Sequence, residues 1–212
     1  MKITLTDNLK QKPDFKNLGF GKYFTDHMLY MEYVDGKWGE VEIRPFSDIA
    51  VNPASVVFHY GQEIFEGMKA YKNTDGKITM FRPRDNILRM NRSAKRLCMA
   101  ELPVDEVLEG IFELVRIEKD WIPTDSGTSL YIRPTMIANE NFLGVHPSKK
   151  YIFFVILSPV GSYYAHGLEP TRIYVEDVFN RAALGGTGEC KCGGNYAASL
   201  LAAEVAKQKG YE

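Results

Sequence analysis

The stretch Leu184-Gly185-Gly186-Thr187-Gly188-Glu189-Cys190-Lys191-Cys192-Gly193-Gly194-Asn195-Tyr196 holds a single cation, Lys191, between two groups of glycines. Glycine reaches left-handed backbone conformations at little cost and lets a main chain approach a ligand closely, so the stretch suits a tight bend around a bound group. A phosphate-cradling P-loop is excluded, because that pattern needs Gly directly before Lys and Ser or Thr directly after it. Both neighbours here are cysteine. Two readings stay open on these residues alone. One is a surface loop with a solvated lysine. The other is a lysine carried into a buried loop, where desolvation disfavours the ammonium form and the neutral amine attacks carbonyls. An Ala- and Leu-rich helical pattern starts near Asn195 and runs to Lys209, with Leu200, Leu201 and Val205 in its interior and Gly210 as its stop.

With 212 residues the chain can form one large domain or two small ones and bury a real core. Its 45% hydrophobic and 25% charged residues are those of an ordinary soluble protein. A formal net charge of -1 offers no electrostatic case for a nucleic-acid partner. Asp7, Lys10, Lys12 and Asp14 interrupt any early apolar segment, which argues against a secretory signal. The longest apolar run, residues 151–157, is too short to cross a bilayer and predicts a buried strand ending at Ser158-Pro159. Three cysteines at no metal-like spacing predict neither a disulfide framework nor a metal site, and a reducing, cytoplasmic setting. Cys190 and Cys192 are read as small buried residues.

Residues 1–19 are polar and form an N-terminal arm. From Met28 the alternation, followed by Asp35-Gly36 and by Trp38 to Ile43, predicts a first β-hairpin. Phe58, Tyr60, Phe65 and Tyr71 are assigned to the core by residue type, on a segment that turns at Asp75-Gly76 and returns through Ile78 and Met80. Residues 83–98 predict a helix, with Pro83 in its first turn and an apolar stripe of Ile87, Met90, Ala94 and Leu97 opposite Arg89, Arg92 and Arg96. A second helix follows through Val104, Val107, Leu108, Ile111, Leu114 and Val115. Tyr131 and Arg133, two apart on a predicted strand, point to one face, where a phenol and a guanidinium can converge on a carboxylate. Residues 160–170, with Gly161, Gly167 and Pro170, have linker composition. Residues 171–176 predict a strand.

The run Gly-Gly-Thr-Gly-Glu-Cys-Lys-Cys-Gly-Gly-Asn-Tyr (185–196) resembles the cofactor-lysine segment of the branched-chain amino acid aminotransferases, of the class IV pyridoxal-phosphate group. Phe-His-Tyr-Gly-Gln-Glu-Ile-Phe-Glu-Gly-Met-Lys-Ala-Tyr (58–71) and Leu-Tyr-Ile-Arg-Pro (130–134) resemble the same family. The resemblance implies an α/β (α+β) class IV two-domain fold: a small N-terminal α/β domain over residues 20–159, a linker over 160–170, and the start of a C-terminal cofactor-binding domain over 171–212. It further implies a transaminase that carries pyridoxal 5'-phosphate as a Schiff base on Lys191 and moves the amino group of leucine, isoleucine or valine to 2-oxoglutarate. Arg89, in an Asn-x-x-Arg-Met segment, is then a phosphate ligand, Tyr196 a partner of the cofactor's phenolic oxygen, and Arg181 a further neighbour of the cofactor. Phe20, Tyr60, Phe65, Tyr131 and Arg133 are the substrate-binding residues, and one of Tyr163 and Tyr164 is a lid. The partners implied are amino acid and 2-oxo acid substrates and, in the full-length family, a second subunit of a homodimer, with no nucleic acid or membrane.

In that family the glutamate facing the pyridine nitrogen and a second phosphate-binding loop lie C-terminal to the lysine, and no residue here is assigned to either. The resemblance therefore implies a chain that stops partway through the second domain, with apolar surface on its last helix uncovered. A D-amino acid aminotransferase or aminodeoxychorismate lyase of the same fold, and an inactive fragment acting as a binding module, are the alternatives.

Overall fold

The computed structural model describes residues 1–161 and 169–211; Tyr163 and Tyr164 lie outside the described residues. In chain order the strands are β1 (Lys2–Ile3), β2 (His27–Val34), β3 (Lys37–Trp38), β4 (Glu42–Pro45), β5 (Glu63–Phe65), β6 (Met68–Lys72), β7 (Ile78–Met80), β8 (Ser129–Ala138) and β9 (Tyr151–Val160). The helices are α1 (Val56–Tyr60), α2 (Pro83–Arg96), α3 (Val104–Ile117), α4 (Gly193–Ala197) and α5 (Leu200–Gln208). One sheet runs β1-β4-β2-β9-β8-β6-β7, with β3 beside β2 and β5 beside β8. All its pairs are antiparallel except β1 with β4.

The helices α2 and α3 follow from their apolar stripes. Ile87, Met90 and Ala94 of α2 and Val107, Leu108, Ile111, Leu114 and Val115 of α3 are buried against Leu29, Met31, Ile132, Phe153 and Val155 of the sheet. Each of these side chains other than Ala94 contributes about 1.5–3 kcal/mol on leaving water. Pro83 occupies the first turn of α2, where its missing N–H costs nothing. The hairpin forms at Asp35-Gly36, with Tyr33 opposite Trp38. Its return strand breaks after Trp38 and resumes as β4. The arm is tied down: β1 pairs with β4, Thr6 N–H donates to His27 Nε2 at 3.0 Å, and Lys10 N–H donates to Asp26 Oδ1 at 2.7 Å.

Several expectations are corrected. β9 runs through Ser158-Pro159 to Val160. β2 accompanies it only over Tyr151 to Val155, so a proline further on faces an edge with no ladder bond to lose. Residues 171–176 are irregular, with Ile173 and Val175 exposed. No described strand lies beside them, and a lone extended segment gains nothing over hydration. The C-terminal helical pattern splits into α4 and α5, where the Ser199 hydroxyl donates to Tyr196 O at 2.7 Å and competes with the helix ladder. Leu200 and Leu201 are exposed, not interior. Phe58, Tyr60 and Tyr71 are also exposed: α1 has five residues and buries only Val56.

Candidate active site

The main chain of β5 and β6 is one strand interrupted at Glu66-Gly67, since Phe65 lies opposite Thr135 and Met68 opposite Ile132 in a single register. Glu66 N–H bonds Pro134 O at 2.8 Å and carries the ladder across the break. Alternation then sends Ile64, Glu66, Met68 and Ala70 to the helix-covered face, where all four are buried. Phe65 and Gly67 face the other way, as do Tyr131 and Arg133 on β8, whose alternate residues Leu130, Ile132, Pro134 and Met136 are buried.

On this second face the rings and cations meet. The Phe20 ring lies edge-on to Tyr131 at 5.0 Å, and Tyr131 OH accepts from Arg133 Nη2 at 3.0 Å. The Arg133 guanidinium sits 4.6 Å from the Phe65 ring centre, and its buried Nε has no hydrogen-bond partner among the described residues. A buried donor left unpaired is costly. Tyr131 can lie where it does because residue 67 is glycine: a Cβ there would come within 2.1 Å of the Tyr131 hydroxyl.

Lys191 reaches the same group. Its Nζ donates to Tyr196 OH at 2.5 Å and lies 4.6 Å from the Phe65 ring, which is 4.9 Å from the Tyr196 ring. Arg181 stands 5.9 Å from Tyr196. The Cys-Lys-Cys run alternates like a strand: Cys190 and Cys192 insert into the core, and Lys191 turns outward between them. Burial pushes the Cys190 thiol above its ordinary value, which makes it a packing residue and a poor nucleophile. The main chain of Lys191 is held on both sides, its N–H by Ser93 Oγ and its carbonyl by Phe65 N–H, each at 3.0 Å. Lys191 itself is only half-buried, so the desolvation expected of it is incomplete. The loop is closed by buried Asn195, whose Nδ2 donates to Thr187 O and Cys190 O and whose Oδ1 accepts from Thr187 Oγ1. Gly193 lies against Glu63: a Cβ there would come within 1.7 Å of Glu63 Oε1 and would push that carboxylate aside.

Arg89 lies under the same strand, on the helix side. Its Nε and Nη2 bind the two oxygens of wholly buried Glu66 at 2.6 and 2.8 Å. That carboxylate raises the Arg89 guanidinium further above its ordinary value, with Tyr196 adding a smaller electrostatic push. Arg89, Arg92, Lys95 and Arg96 line a cavity of about 750 Å³ that Glu189 and Cys190 close from the loop side. Tyr60 goes elsewhere: its hydroxyl donates to Leu143 O and its ring packs beside His59. Glu66, Ser93 and Asn195 are the residues that the sequence reading missed. Glu66 stands within a quoted motif, but no local pattern tells that its carboxylate is buried.

The mixed sheet with helices on one face is the fold of the class IV aminotransferases. No protein-family model matches the chain. Branched-chain-amino-acid aminotransferase 2 of Bacillus subtilis is 50% identical over 212 residues, all of this chain and 58% of the relative. Branched-chain-amino-acid transaminase 1 of the same organism is 52% identical over 205 residues, 96% of this chain and 58% of the relative. Among solved structures, the branched-chain aminotransferase of the archaeon Thermoproteus uzoniensis with norvaline superposes with a TM-score of 0.68 at 25% identity, over 86% of this chain and 58% of that one. The T.th. branched-chain amino acid aminotransferase with pyridoxamine 5'-phosphate gives 0.67 at 26% identity, over 86% and 57%. Over its whole length the chain is similar to branched-chain amino acid aminotransferases, and it spans about 58% of the length of these curated relatives.

Proposed function

We propose that the chain carries the lysine loop and the N-terminal half of the active site of a transaminase. The enzyme moves the amino group of leucine, isoleucine or valine to 2-oxoglutarate, giving branched-chain 2-oxo acids and glutamate. One observation carries the reading: the Lys191 amine and the Tyr196 hydroxyl share a 2.5 Å hydrogen bond over the Phe65 ring. The kinship with two branched-chain aminotransferases of Bacillus subtilis, and the norvaline and pyridoxamine 5'-phosphate of the two solved structures, support it.

The residues present fit pyridoxal 5'-phosphate. Lys191 and Tyr196 would hold its reactive end, while Arg89 and Arg181 supply cationic donors suited to a phosphate. Arg89 keeps Nη1 uncommitted among the described residues after pairing with Glu66. The cofactor, when bound, supplies an electron sink for charge at the substrate α-carbon. Lys191 Nζ then holds or moves the α-proton, and the Tyr196 hydroxyl fixes the direction of the amine. Arg133, whose guanidinium stands beside the Tyr131 hydroxyl, would form with it a pair suited to a substrate carboxylate. The rings of Phe20, Phe65 and Tyr131 exclude water around an aliphatic side chain. Burial distinguishes such side chains only weakly, by about 0.8 kcal/mol per methylene. Within this proposal residues 20–159 form the N-terminal domain and 171–212 begin the cofactor-binding domain. The proposal includes a cytoplasmic setting and, as the resemblance implies for the family, a homodimer.

The test is incubation with pyridoxal 5'-phosphate, borohydride reduction and peptide mapping. A modified peptide containing Lys191 is expected. An unmodified chain favours the second reading, a binding module. The exposed Leu200 and Leu201 speak for that reading. Turnover of leucine compared with D-alanine and aminodeoxychorismate separates the branched-chain activity from its relatives of the same fold.

A further inference from the structure

We propose that Ser93 is a positioning residue for Lys191: from the middle of α2 it sets where the reactive amine is rooted, through the lysine's main chain. The proposal rests on the transaminase reading. Ser93 is 2% exposed, and its Oγ accepts the Lys191 N–H at 3.0 Å across 98 residues of sequence. Serine inside a helix ordinarily turns its hydroxyl back to the helix's own carbonyls or out to water. Here its oxygen faces a different element and serves that element's main chain.

The second hold on Lys191 comes from β5, whose Phe65 N–H donates to the Lys191 carbonyl at 3.0 Å. Phe65 N–H is free for this because the neighbouring Glu66 N–H points the other way, to Pro134 on β8. Lys191 therefore lies beside the outer edge of β5, joined to it by that one main-chain bond, with Cys190 and Cys192 anchored in the core on either side. The same Phe65 also places its ring 4.6 Å from the lysine Nζ. With both main-chain groups held, the amine swings on a side chain of fixed origin, and its arc passes Tyr196 OH and the Phe65 ring.

The two holds differ in kind. That of Phe65 is main chain to main chain and survives any side-chain change. That of Ser93 is a single side-chain oxygen, so substitution removes it cleanly. Without it, the Lys191 peptide loses its acceptor on α2 and the loop pivots about the Phe65 bond. Small misplacements of a reacting group cost far more in rate than in stability, because near-attack geometry is lost while packing is kept.

The experiment uses the 212-residue chain, wild type, Ser93→Ala and Ser93→Thr. Hydrogen exchange of the cofactor-free protein reads the Lys191 amide against core amides such as Ile111 and Phe153. In parallel, the rate of the borohydride-trappable adduct at Lys191 is measured with pyridoxal 5'-phosphate. Ser93→Ala is expected to speed Lys191 exchange and slow adduct formation by roughly tenfold or more, with core amides unchanged. Ser93→Thr, which keeps the hydroxyl, is expected to recover most of both. If the wild type forms no adduct at Lys191, the transaminase reading fails and this role fails with it. If the wild type reacts and Ser93→Ala matches it in rate and in Lys191 exchange, the positioning role alone is overturned. Core amides that loosen together with Lys191 also overturn it, since the effect is then general destabilisation.

Discussion

Glu66 lies wholly out of solvent and gives both carboxylate oxygens to Arg89, so that one bidentate pair joins the strand of Phe65 to helix α2. Asn86 Nδ2 and Gly67 N–H add two further donors to the same carboxylate. Removing the cation leaves a buried charge with amide donors alone. Arg89 itself is half-exposed, which screens the pair, so Arg89→Ala is expected to lower unfolding free energy by about 1–3 kcal/mol. Arg89→Lys should lose more than half of that, because an ammonium cannot fork. Urea denaturation measures both, and a loss below about 1 kcal/mol for Arg89→Ala contradicts the account.

Gly67→Ala places a methyl where the Tyr131 hydroxyl now lies. Tyr131 is held in β8, so its ring must tilt away and release Arg133 Nη2. The expected cost is about 1–3 kcal/mol in stability. A displaced Tyr131 in a crystal structure of the variant is the direct check, together with weaker binding of small carboxylates.

Tyr196→Phe removes the hydroxyl from Lys191 Nζ while keeping the ring against Phe65. Both groups are reached by water, so stability should change by less than about 1 kcal/mol. The rate of adduct formation at Lys191 should fall all the same. Equal rates for the variant and the wild type would mean that the 2.5 Å bond does not direct the amine.

Alkaline stability has a named source. Burial, with smaller contributions from Tyr33, Glu140 and Cys98, pushes the Tyr151 phenol from 10.0 up to about 12. Its hydroxyl donates to Ser148 O and Cys98 O, contacts that need the neutral form. The unfolded chain loses this proton first, so the contribution is whole below pH 10 and is lost as pH rises through 12. At about 1.4 kcal/mol per pKa unit the loss amounts to about 2–3 kcal/mol. Tyr151→Phe should flatten the fall in stability over that range, read by denaturant midpoints at successive pH values. An unchanged slope assigns it to other groups.

Much of this was legible residue by residue. The stripes that bury α2 and α3, the Asp35-Gly36 turn and the alternation that puts Tyr131 and Arg133 on one face are short-range patterns, and each is found where expected. The errors fall where a long-range neighbour decides. Phe58, Tyr60 and Tyr71 are large and apolar yet exposed, because α1 is short and Tyr71 lies on the face that the helices leave open. Pro159 ends a strand only if its nitrogen faces a neighbour, and it does not. Residues 171–176 have strand composition but no described strand to pair with.

The chain's own order of residues determined the glycine-flanked loop of Lys191, its two core-anchored cysteines and the elements that surround it, because turn chemistry and the periods of helix and strand act over a few residues at a time. Tertiary structure alone decided that Phe65, Tyr131, Arg133, Lys191 and Tyr196 meet, that Glu66 is buried under Arg89, that Ser93 takes the Lys191 amide and that Tyr60 turns toward Leu143. Those contacts depend on strand register and on which edge of β5 is free. Both are settled by packing between segments far apart in sequence, and no local pattern records them.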